Sequence, residues 1–140
     1  MQRVLCITNN PRWAATLPEG GLEFMDDTSL AVFQRARDLV HQGWKFLGHP
    51  LYGNFNPAKV PYRTLLLAGP ADETTQGAVD IESFAMLEKA LEQFRALETD
   101  TDGEDDRPNL PENILKDYEI VDYELMKEPV SRYMKRIDQR

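Results

Sequence analysis

Thr64-Leu65-Leu66-Leu67-Ala68 is an unbroken apolar run, set between Arg63 and the turn-rich stretch that opens at Gly69-Pro70. A strand with one wet face alternates apolar and polar residues, whereas a continuous run is the pattern of an interior strand of a parallel sheet, covered on both faces. Upstream, Arg3 to Ile7 reads as a second buried strand, short and followed by the turn residues Thr8-Asn9-Asn10-Pro11. Asn10 suits an N-cap and Pro11 a first helical position, opening a short helix through Trp13-Ala14-Ala15. Leu22-Glu23-Phe24-Met25 is a further strand. Asp27 or Thr28 then caps a helix whose stripe is Val32, Phe33, Ala36, Leu39 and Val40. Gly43 ends that helix, and Trp44 to Leu47 forms the next strand.

Downstream, Asp80 caps the longest helix, with Ile81, Phe84, Leu87, Leu91 and Phe94 expected on its inner stripe. Residues 98–111 read as an exposed acidic linker carrying Pro108 and Pro111. A short helical piece at Glu112 to Lys116, a strand at Tyr118 to Val121 and a last helix from Asp122, interrupted by Pro129, complete the chain. The last helix carries Arg132, Lys135, Arg136 and Arg140, which complement its C-terminal dipole. Strands alternating with helices specify an α/β fold. The expectation is a single domain over residues 1–140, a three-layer Rossmann-like sandwich with a mostly parallel sheet of about five strands.

Composition narrows the function classes. Sixteen basic residues stand against 24 acidic ones, for a net charge of −8. Six of those acids lie between Glu98 and Asp106, and removing them leaves 18 against 16. The folded part is therefore near neutral, which allows a small anion but not the basic face that nucleic acid requires. No apolar stretch approaches a membrane span, and the short run behind Met1-Gln2-Arg3 is no signal peptide, so a cytoplasmic protein without membrane contact is expected. Cys6 is the sole cysteine and sits in an apolar run, where a buried structural thiol is expected. There is no GxGxxG, phosphate-binding loop, HExxH or nucleophile elbow, so the sequence indicates no cofactor and no metal.

Ligands of open α/β sheets sit at the carboxyl ends of strands, and two polar clusters fall there. One is Thr8-Asn9-Asn10-Pro11, where helix amides suit an anion. The other is Gly48-His49-Pro50-Leu51-Tyr52-Gly53-Asn54. If the first and third strands are neighbours, His49 faces the amides near Asn10 across a crevice. Candidate ligand-binding residues are then Asn9, Asn10, His49, Asn54 and Tyr62. Each has a structural reading beside the functional one: Asn10 as a cap, Gly53-Asn54 as a turn, His49 as a hydrogen-bonded loop residue. His41, on the polar side of its helix, reads as a surface residue.

Ile7-Thr8-Asn9-Asn10-Pro11, Arg37-Asp38-Leu39-Val40-His41-Gln42-Gly43 and His49-Pro50-Leu51-Tyr52-Gly53-Asn54, with Pro57 and Pro61-Tyr62 following, occur in an order and spacing that resembles the GrdX family. Those are small proteins encoded with glycine, sarcosine and betaine reductase in amino-acid-fermenting anaerobes. The resemblance covers most of residues 3–126 and implies an accessory protein near a reductase, with reductase components as partners. It also marks the Asn9-Asn10-Pro11 and His49-Pro50-Leu51 blocks as a shared site. Two functional readings follow. The favoured one is a non-catalytic accessory or regulatory protein that binds a small anionic metabolite or a partner protein. The other is a small enzyme with His49 as general acid/base and substrate charge held at Asn10, assisted by Tyr62 and Asn54. The oligomeric state is left open.

Overall fold

A computed structural model describes residues 3–14, 21–50, 52, 60–70, 78–98 and 110–138. The elements run β1 (Arg3–Thr8), α1 (Pro11–Ala14), β2 (Leu22–Phe24), α2 (Ser29–His41), β3 (Lys45–Phe46), β4 (Thr64–Gly69), α3 (Ile81–Glu98) and α4 (Glu112–Asp138). The strands form one sheet in the order β2-β1-β4-β3.

The apolar run at β4 is indeed interior, and all six of its residues are buried. Its direction is the surprise. β4 pairs antiparallel with β1, from Arg3↔Gly69 to Thr8↔Thr64, and antiparallel with β3 on its other edge. Among the described strands only β1 and β2 run parallel. Over the described residues the sheet is thus mixed and has four strands, not the mostly parallel, Rossmann-like sheet of about five. The apolar run reports coverage on both faces, and that coverage is present here without a parallel strand.

Helices on both faces complete three layers. Leu5, Ile7, Leu65 and Leu67 point to one face and join Val32, Phe33, Ala36, Leu39 and Val40 of α2 with Leu87, Ala90, Leu91 and Phe94 of α3. Cys6 and Leu66 point to the other and meet Trp13 of α1 with Met126 and Val130 of α4. This split follows from the two-residue period of a strand: paired residues Cys6 and Leu66 face one way, and Ile7 and Leu65 the other.

The capping expectations resolve cleanly for α2 and α3. Thr28 is the N-cap of α2, its hydroxyl accepting the Ala31 N–H at 3.1 Å. Asp80 caps α3 through the Ser83 N–H and hydroxyl, and those bonds hold its carboxyl below the usual aspartate range. Ser83 is buried and also accepts the Phe46 N–H, tying the edge strand β3 to α3. The inner stripe of α3 is therefore Ser83, Leu87, Ala90, Leu91 and Phe94. Ile81 (82% exposed) and Phe84 (37%) lie off it, because Ser83, four residues before Leu87, is the first-turn position in phase with the buried face.

The expected strand at Tyr118 to Val121 is absent. These residues belong to α4, which runs unbroken from Glu112 through Pro129. Asp122, Met126 and Val130, four residues apart, are all buried, and that helical period extends over a span that a four-residue window cannot reveal. Asn54, the turn-rich stretch at 71–77 and most of the acidic linker, 99–109, lie outside the described residues.

Candidate functional site

The carboxyl end of β1 and the start of β4 meet α4 in a buried polar network. Thr8 and Thr64, paired across the strands, both face the α4 side. The Asn10 N–H donates to the Thr8 hydroxyl (3.0 Å), which contacts the Thr64 hydroxyl (2.9 Å), which donates to Asp122 Oδ2 (2.6 Å). Asn10 Nδ2 reaches the same oxygen at 2.9 Å, and the Tyr52 hydroxyl donates to Oδ1. A carboxylate that is only 5% exposed thus receives three side-chain donors from three chain segments, which is what makes its burial tolerable. Tyr52 also accepts the Thr64 N–H at 2.8 Å. Arg63, buried, stacks 4.3 Å from the Tyr52 ring and donates to the Tyr52 carbonyl.

Electrostatics follow from this geometry. Burial, and then the Asp122 charge, push the Tyr52 phenol well above its ordinary range, with Arg63 opposing. Burial, again followed by Asp122, pushes the Cys6 thiol up to about 12. Cys6 is fully buried, so it is the inert structural thiol expected for its place in β1.

The asparagines serve the scaffold. Asn9 Nδ2 donates to the Asp27 and Pro61 carbonyls and its Oδ1 accepts the Arg63 N–H, locking the approach to β4 against the approach to α2. Asn10 Oδ1 accepts the Arg12 N–H as the cap of α1, while its Nδ2 donates to the Glu119 carbonyl as well as to Asp122. The crevice expected between β1 and β3 does not form, because β4 lies between them. Two strand spacings, about 10 Å, separate those strands.

His49 instead borders a different cavity. An open cleft of about 210 Å³ lies between the β3–β4 edge and α4. Its floor is apolar, with Phe46, Leu66 and Met126, and Tyr52 and Thr64 present the outer side of the buried network to it. His49 lines it, and so do Leu125, Pro129 and Arg132 of α4. Neither Asn9, Asn10 nor Tyr62 lines it; Tyr62 is half-buried in the segment leading into β4.

A family model for GrdX-like proteins matches residues 5–131 of this chain. The chain belongs to the GrdX-like family. Comparison with curated proteins gives no significant match, and neither does comparison with solved structures. The matched span takes in all or most of every strand and helix described in this GrdX-like fold, including the Asp122 network. Asp122 and Arg132 escaped the sequence reading because each has a sufficient local explanation, as the expected start of the last helix and as a dipole partner. The available signal was Pro129, a helix-breaking residue three positions before Arg132.

Proposed function

We propose that this GrdX-like protein is a cytoplasmic, non-catalytic accessory protein of a glycine, sarcosine or betaine reductase system, and that it holds a small anionic metabolite in the His49–Arg132 cleft. The observation that carries the reading is that two side chains able to bear positive charge, His49 and Arg132, line one cleft together with apolar residues. The cleft, about 210 Å³, has room for a compact metabolite. Arg132 sits 3.7 Å from Glu128 in an exposed contact, a weak partner that an incoming carboxylate or phosphate can replace. The nearest buried acid, Asp122, is held by three donors, and the Asn10 amide is committed to α4. The enzyme reading, in which Asn10 holds substrate charge opposite a catalytic His49, is therefore the less supported one.

The test is thermal unfolding against glycine, sarcosine, betaine and acetyl phosphate. A ligand at one hundred times its Kd should stabilise the protein by about 2.7 kcal/mol. His49→Ala and Arg132→Ala should each reduce the shift. If no compound moves the transition, the metabolite reading fails, and binding to purified reductase components becomes the measurement that decides the accessory role.

A further inference from the structure

Pro129 lies inside α4, where the carbonyl four residues back ordinarily accepts an N–H. Proline has none to give, and its ring crowds that carbonyl outward. The carbonyl concerned is that of Leu125. Leu125 and Pro129, one helical turn apart, both line the cleft. Arg132, three residues beyond Pro129, lines it as well. One helix therefore brings to the cleft a residue whose carbonyl lacks its usual donor and, about two turns beyond it, a cation whose side chain leans back toward the helix N-terminus.

We propose that the cleft selects a small zwitterion, a short amino acid whose carboxylate is held by Arg132 and His49 and whose ammonium N–H donates to the Leu125 carbonyl. The inference rests on the anion-binding reading of the cleft and adds to it the chemistry of the ligand's other end. A bare carboxylate satisfies the cations and leaves the carbonyl to water. A trimethylated amine carries positive charge but no N–H, so it cannot make the bond either. The site thus distinguishes molecules that share one anionic group.

Isothermal titration with acetate, glycine and N,N,N-trimethylglycine tests this on the wild type and on Pro129→Ala. Alanine supplies the missing N–H and favours the helix, so the variant is expected to fold at least as stably as the wild type. In the wild type, glycine should bind about tenfold more tightly than acetate or trimethylglycine, the value of one charge-assisted hydrogen bond. In Pro129→Ala that preference should disappear while acetate affinity stays within about threefold, a change too small for a lost ion pair. Equal binding of acetate and glycine by the wild type overturns the zwitterion inference and leaves anion binding standing. A glycine preference that survives in Pro129→Ala overturns the Leu125 carbonyl as the group that holds the ammonium. No binding of any probe to either protein overturns both readings together.

Discussion

At the scale of single residues, the decisive group is Asp122. It is a buried anion whose three side-chain donors come from α1's cap, β4 and the segment at Tyr52. Asp122→Ala removes the acceptor and leaves those donors buried without it, so unfolding in urea should show a loss of about 3 kcal/mol or more. Thr64→Val, which removes one hydroxyl from the network, should cost less. Burial, and after it the same carboxylate, shape the alkaline limb of stability. Cys6 has a folded pKa of about 12 against an ordinary 9.0, so the native state retains a proton that the unfolded chain loses between those values. Its contribution is complete below about pH 9 and falls away as pH rises towards 12, with a slope of at most about 1.4 kcal/mol per pH unit. Tyr52, raised by the same causes, adds to the fall. Denaturation of Cys6→Ala across that range should show a shallower slope than the wild type, whatever its stability at neutral pH.

At the scale of elements, α3 and α4 show how a local pattern is overruled. Steps of three lead from Leu87 back to Phe84 and Ile81, yet such steps drift off a 3.6-residue stripe, and Ser83, four before Leu87, takes the inward place and serves β3. Ile81→Ser should therefore change stability by no more than about 0.5 kcal/mol, whereas Leu87→Ala should cost about 2–5 kcal/mol by calorimetry. Had Ile81 been a core residue, the two would be alike. In α4, the β-branched and aromatic cluster Tyr118-Glu119-Ile120-Val121 has the composition of a strand. What makes it helix is the face carrying Asp122, Met126 and Val130 against the sheet, a partner surface that exists only once β1 and β4 are paired. Gly69 belongs here too. A Cβ at this position would lie 2.3 Å from the Trp44 ring, so Gly69→Ala should lose about 1–3 kcal/mol as Trp44 is displaced from the core.

At the scale of the molecule, the sheet is a long central pair with short edges. β1 and β4 are six residues each and fully paired with one another, while β2 has three residues and β3 two. Hydrogen exchange should follow this plan: amides of β1 and β4 open only with global unfolding, and those of β2 and β3 exchange through smaller local openings. The cleft lies at the β3 side, between the weakest edge and α4. Occupation by a ligand should accordingly slow exchange at Phe46 and Leu47 more than at β1.

Local patterns alone dictate the α/β class, the run of elements as far as α3, the buried β4, the inert Cys6 and the caps at Asn10 and Asp80, and they narrow the cap of α2 to Asp27 or Thr28. They do so because burial period and capping chemistry are short-range properties, written within a turn or two of chain. They also single out His49 as a residue at a strand end. Strand direction and order are different, since an apolar run records cover on both faces and is blind to the polarity of its neighbours. Placing β4 between β1 and β3 separates Asn10 from His49 and brings Asp122, Tyr52 and Arg132 to the strand ends instead. Residues 52, 64, 122 and 132 are far apart along the chain, and only the packing of α4 on an antiparallel pair makes them neighbours.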